Sequence, residues 1–109
     1  MELLLETLDT NATLGDQQIA ITQRESLGFE LISLTLGWVD GQAANIATFR
    51  RRRPGDAPGL LTLDSVTGSK TKDEQEIKIN TGETAAKRLF SYGGLLVEGE
   101  EKNIGAYRG

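Results

Sequence analysis

The chain has no cysteine and no histidine. Without thiols it has no disulfide, no thiolate nucleophile and no sulfur ligand for a metal. Without imidazole it lacks the side chain best suited to moving protons near neutral pH and the commonest zinc ligand. No apolar run approaches the roughly 20 residues that a membrane-spanning helix needs. The opening Met-Glu-Leu-Leu-Leu-Glu is too short and too acidic for a signal peptide. A cytoplasmic location follows by default, and there the sequon Asn11-Ala12-Thr13 has no use. No glycine-rich phosphate loop is present, Gly93-Gly94 being an isolated pair. Ser33 and Ser91 have no base beside them in any readable motif. These absences point to a chain with no catalytic residue, no metal and no cofactor, and so to a protein that is not an enzyme.

What is present is ordinary in amount and uneven in placement. At 109 residues, 38% hydrophobic and 26% charged, the chain suits one small soluble domain. The net charge is −4, and residues 1–51 hold three basic and seven acidic groups, whereas residues 59–109 hold seven and eight. An acidic balance argues against a dedicated nucleic-acid binder, whose affinity rests on neutralising phosphates. The joint is different: Arg52-Arg53-Pro54-Gly55-Asp56-Ala57-Pro58 is locally basic and holds both prolines.

The dominant pattern is an internal repeat. Residues 1–51 laid over 59–109 share fourteen identities without a gap, among them Gln17/Gln75, Ile21/Ile79, Glu25/Glu83, Asn45/Asn103 and Arg50/Arg108. Each copy of about fifty residues would be marginal alone. One domain is therefore expected over residues 1–109, made of repeats 1–51 and 59–109 joined by linker 52–58, resembling a fused homodimer.

Alternation of Leu3, Leu5 and Leu61, Leu63 with polar neighbours predicts a half-buried opening strand in each copy. Ile19, Ile21 and Ile77, Ile79 extend the same argument to a second strand. A helix capped near Thr81 is predicted through Thr84 to Tyr92, its first-copy counterpart being a short helical turn. Apolar runs turning at Asp40-Gly41 and near Gly99 predict a closing hairpin in each copy. The expected fold class is α+β, mainly antiparallel β: an internally duplicated β-β-(short α)-β-β unit with pseudo-twofold symmetry. An all-β barrel or sandwich is the alternative. The expected core is Leu3, Leu5, Ile19, Ile21, Leu31, Val39, Ile46 and Phe49 with their repeat mates.

Residues 27–36, Leu-Gly-Phe-Glu-Leu-Ile-Ser-Leu-Thr-Leu, together with the closing Phe49-Arg50-Arg51, resemble a small bacterial domain family of unknown function. That family is built strand–helix–strand–strand, with a Gly-Trp-Glu-Leu-Val-Ser-like lead-in and a final Phe-Lys-Arg. The resemblance spans residues 27–51, has Phe29 in place of tryptophan and fades in the second copy. It implies a helix over residues 16–27, against the alternation, and implies no activity.

Several residues are candidates for binding, each with a plainer reading. Arg50, Arg51, Arg52 and Arg53 could contact an anion or an acidic partner, or could be a solvated strand end. Asn45 and Asn103 could flank a ligand symmetrically, or could satisfy turn backbone groups. Arg108 matches Arg50, which favours a structural use. Trp38 could anchor an interface or pack in the core, and its apolar mate Leu96 favours packing. Asp40 and Glu98 could act as paired carboxylates, or simply be exposed hairpin tips. Asp9-x-Asn11-x-Thr13-x-Gly15 resembles a calcium loop but lacks the glycine and glutamate such loops need, Ala20 standing at the twelfth position.

The reading these residues favour is a non-catalytic interaction or adaptor protein, acting through a protein partner or by self-association as a homodimer. The alternative is a domain for a small anionic ligand, with its site between the repeats at Asn45, Asn103, Arg50 and Arg108. An enzyme using the paired carboxylates has least support.

Overall fold

A computed structural model describes residues 2–84 and 86–109. The elements run β1 (Leu3–Leu8), α1 (Leu14–Glu25), β2 (Phe29–Val39), β3 (Gln42–Arg51), β4 (Leu61–Val66), α2 (Lys72–Gly82), β5 (Arg88–Val97) and β6 (Glu100–Arg108). They form two antiparallel three-stranded sheets, ordered β1-β3-β2 and β4-β6-β5. Register repeats between them: Leu5 faces Thr48 as Leu63 faces Ala106, and both second strands carry an irregularity, at Leu31/Ser33 and at Leu89/Ser91. The α+β class, mainly antiparallel and internally duplicated, is the one expected. Both sheets are open, and neither closes into a barrel.

Within each copy the order is strand, helix, strand, strand, and two element assignments change. Residues 17–21 and 75–79, expected as strands, are helical. Alternation at Ile19 and Ile21 was misleading because the buried stripe of α1 is Gln17, Ile21 and Glu25. That spacing of four is helical, but two of its three members are polar. Thr13 starts α1 by accepting the Asp16 N–H on Oγ1 at 3.1 Å. Thr71 and Glu74 start α2 with a reciprocal capping box. The helix expected over residues 84–92 is instead a turn leading into β5, since Leu89 onward pairs with β6; Ala85 of that stretch lies outside the described residues.

The hairpins are as expected. Asp40 and Gly41 have φ of 53° and 78°, and Glu98 and Gly99 have 52° and 78°. Positive φ at both central positions is the two-residue turn whose twist matches the flanking strands.

One apolar core runs through both copies, joining Ile21, Leu31, Leu34, Ala47 and Phe49 to Leu61, Leu63, Leu95, Val97, Ile104 and Ala106. The expected core is half right. Leu3, Leu5, Ile19, Val39 and Ile77 are exposed, because Ile19 and Ile77 lie off the inner helix stripe and the outer faces of β1 and β2 are uncovered.

Candidate functional site

The seam between the copies is built largely from polar side chains of copy one. In α1, Gln18 donates from Nε2 to the Leu61 carbonyl at 3.2 Å and accepts the Leu63 N–H on Oε1 at 2.9 Å. In β3, Asn45 accepts the Leu96 N–H on Oδ1 at 2.8 Å and donates from Nδ2 to the Leu96 carbonyl at 2.7 Å. β4 and β5 are the two edges of the second sheet. Each edge thus meets a carboxamide that offers one donor and one acceptor, as a neighbouring strand would.

Other buried groups complete the seam. Gln17, 1% exposed, accepts from Asn45 on Oε1 at 3.0 Å and donates to the carbonyls of Leu96 and Ala12. Glu25 accepts the Leu31 N–H at 2.8 Å and pairs with Arg108 at 2.7 Å. The second hairpin turn donates its Glu98 and Gly99 N–H groups to the carbonyls of Ala12 and Thr10 at 3.0 and 2.9 Å. Among the described residues no buried side-chain polar atom lacks a hydrogen-bond partner.

The seam is not reciprocal. Every residue in it has a repeat mate, and the mates are exposed or only partly buried. Leu61 and Leu63 are 4% and 6% exposed, whereas Leu3 and Leu5 are 56% and 66%. Leu96 is half-buried, while its mate Trp38 is 75% exposed. Ile21 is fully buried and Ile79 only partly; Glu25 is buried and Glu83 exposed. No residue of α2 is buried. A groove of about 350 Å³ runs between α2 and β5, lined by Lys72, Gln75, Glu76, Ile79 and Tyr92. The matching positions of copy one, Leu14, Gln17, Gln18, Ile21 and Leu34, are packed against copy two.

The open copy keeps the local arrangement of the closed one. Gln75 accepts from Asn103 at 3.2 Å and donates to the Lys70 carbonyl at 3.0 Å, as Gln17 does with Asn45 and Ala12. Glu83 accepts the Leu89 N–H at 3.0 Å, as Glu25 does that of Leu31. The Tyr92 hydroxyl also donates to Gln75, and burial raises the Tyr92 pKa.

The basic run lies beside the seam, and only Arg52 reaches a seam residue. Glu30, Arg50, Arg51, Arg52, Arg53 and Asp56 line a bowl of about 390 Å³. Arg51 pairs with Glu2 at 2.9 Å and stacks over Phe29. Arg52 fastens the linker to copy one: its guanidinium donates to the carbonyls of Phe29 at 3.1 Å, Glu25 at 2.8 Å and Asp56. Arg50 and Arg108 are therefore not partners across a cleft, since Arg108 is in the seam and Arg50 in the bowl. Asn45 is buried in the seam and Asn103 partly exposed on α2's side. Trp38, favoured for packing by its apolar mate, projects into solvent because nothing covers that end of β2.

The remaining candidates have local uses. Asp9 accepts the Asn11 N–H at 2.9 Å and Thr13 caps α1, which accounts for the calcium-like spacing. Asp40 and Glu98 occupy matching turns. Sequence reasoning missed Gln17, Gln18 and Glu25, although two of these recur identically as Gln75 and Glu83. Among the described residues no helix is long and apolar enough to cross a membrane. A scan against protein-family models matches none, and searches of curated proteins and of solved structures return no match.

Proposed function

We propose that this protein is a non-catalytic interaction module that acts through protein–protein contacts. The observation that carries this reading is the exposure of Leu3, Leu5 and Trp38, large apolar side chains on uncovered sheet edges. Exposed apolar groups on the two unpaired edges of one sheet suit a binding surface. Tryptophan in particular supplies much contact energy at interfaces. Histidine and cysteine, the usual carriers of acid–base and thiolate chemistry, are absent from the chain.

These side chains serve contact rather than folding. Leu5→Lys and Trp38→Lys, unfolded in urea at high dilution, are expected to stay within about 0.5 kcal/mol of the parent, as surface changes do. A loss of the size of a core truncation, about 2–5 kcal/mol, would make them structural and sink the reading.

The basic bowl favours a second reading, a site for a small anion, because Arg50 and Arg53 line it beside Arg51 and Arg52, whose guanidinium groups are held by Glu2 and by backbone carbonyls. Titration with inorganic phosphate followed by the chemical shifts of Arg50 and Arg53 tests it. No saturable shift at low salt would end that reading.

A further inference from the structure

We infer that the partner is a second copy of this chain, whose β1 and Asp40-Gly41 hairpin seat in the groove between α2 and β5. This rests on the interaction reading above and gives it an occupant. The contact reproduces, between chains, the seam that copy one already makes with copy two inside one chain.

Three correspondences carry the inference. The first is edge capping. Asn45 binds both backbone groups of Leu96; Asn103, held by Gln75 as Asn45 is held by Gln17, is placed to bind both backbone groups of Trp38 in the neighbour. The second is the turn. Glu98 and Gly99 donate to Ala12 and Thr10; Asp40 and Gly41, with the same positive φ values to within a degree, present the same pair of N–H groups to Lys70 and Gly68. The third is charge. Arg108 pairs with Glu25 inside the chain, and the exposed Arg50 of one chain matches the exposed Glu83 of the other. Leu3 and Leu5 then cover Ile79 as Leu61 and Leu63 cover Ile21.

The two ends of the strands concerned are free for this. Inside the chain β2 buries its first half, Leu31 and Leu34, and β5 its second half, Leu95 and Val97. Trp38 and Val39 at the far end of β2, and Phe90 and Tyr92 at the near end of β5, remain exposed. The contact is heterologous, one face meeting a different face, so each chain retains one face of each kind. Two chains docking reciprocally satisfy both faces of both, giving a ring of four copies.

One substitution weakens the reproduced contact. Gln18, which bonds both the Leu61 carbonyl and the Leu63 N–H, is matched by Glu76. An ionised carboxylate accepts the Leu5 N–H of a neighbour but cannot donate to the Leu3 carbonyl. The contact between chains is therefore weaker than the seam within one, and Glu76→Gln strengthens it.

Sedimentation of the full chain over a wide concentration range tests the inference. A monomer–dimer equilibrium is expected, tightened about a hundredfold by Glu76→Gln, which adds one good hydrogen bond, about tenfold, at each of the two reciprocal contacts. Leu5→Lys, Arg50→Glu and Glu83→Arg should each give monomers, with the far-ultraviolet spectrum of the parent as the check on folding. Mixing Arg50→Glu with Glu83→Arg should restore the dimer, because in the mixed pair one ion pair reforms with its signs exchanged and the other is the parental Arg50–Glu83 pair. If Glu83→Arg does not fold, Leu5→Lys and Arg50→Glu decide alone. A dimer that survives Leu5→Lys and Arg50→Glu, or a parent chain that stays monomeric, would overturn docking of a second copy. Neither result touches the urea comparison of Leu5→Lys and Trp38→Lys, which judges the broader reading separately.

Discussion

Ile21 and Ile79 occupy the same place in the same helix of two copies with the same strand order, yet the first is fully buried and the second is not. The same split separates Glu25 from Glu83 and Leu61 from Leu3. Local fold and burial are therefore separate outcomes of the sequence here. N-cap threonines, hairpin turns and strand register are fixed within about fifty residues and come out alike in both copies. Burial depends on what lies against each copy, and copy one's helix has a neighbour that copy two's lacks. Identical side chains thus have unequal energetic weight, a difference that paired substitutions measure directly.

The largest contrast is expected at the arginines. Arg108→Ala leaves Glu25 buried without its cation, and breaking a buried pair costs about 3–5 kcal/mol. Arg50→Ala, at the exposed mate, should stay within about 0.5 kcal/mol. Equal losses in urea unfolding would erase the distinction between the copies. Next come the isoleucines: Ile21→Ala should cost about 2–4 kcal/mol, and Ile79→Ala about 1 or less, since less of it leaves water. Hydrogen exchange would sharpen this, with the amides of α2 opening before those of α1.

The asparagines should follow. Asn45→Ala strips the Leu96 N–H and carbonyl of their partner in a buried seam, at about 2–3 kcal/mol, whereas Asn103→Ala loses one partly exposed bond, at about 0.5 kcal/mol. A double-mutant cycle between Gln17 and Asn45 should show stronger coupling than one between Gln75 and Asn103, whose bond is longer and partly exposed.

The smallest effect lies at alkaline pH and belongs to copy two. Burial, and then the nearby carboxylates of Asp64 and Glu83 and the Tyr92 phenol, raise the Tyr107 pKa. Its folded value thus lies above the unfolded one, near 10. The associated stability is complete below that unfolded value and is lost as pH rises through the folded one. Copy one has Phe49 at this position. Tyr107→Phe should therefore flatten the alkaline loss while leaving stability at pH 7 within about 0.5 kcal/mol, since its hydroxyl reaches the Ile79 carbonyl only at 3.5 Å. An unchanged alkaline limb would assign the loss elsewhere.

The duplication, both opening strands, both hairpins and their turns were legible because alternation and Asp-Gly or Glu-Gly chemistry are local signals. The helices were not, because the inner stripe of α1 is Gln17, Ile21 and Glu25, which a search for apolar periodicity passes over. The helix assigned to residues 84–92 failed for the converse reason: helix-forming residues ahead of Gly93-Gly94 looked continuous, but Leu89 and its neighbours find ladder partners in β6. The seam itself was half visible. Asn45 and Arg108 stood out as repeated residues, but only tertiary structure shows that one completes a strand edge and the other meets Glu25. Trp38 misled because its mate Leu96 is sheltered by a copy that Trp38 does not face.

The linker has a consequence of its own. Nine residues, 52–60, separate β3 from β4, a tether of about 30 Å at full stretch. Arg52 shortens it further by tying its backbone back onto copy one, its N–H donating to the Gly28 carbonyl at 2.9 Å. A short tether holds the two copies at an effective concentration of the order of millimolar or above. The linker therefore selects which of two chemically similar contacts closes first: the one inside the chain forms as a unimolecular event, whatever the dilution. Cutting the tether would put both contacts on the same concentration scale, and trimming it below the span between β3 and β4 would force the copies to exchange between chains.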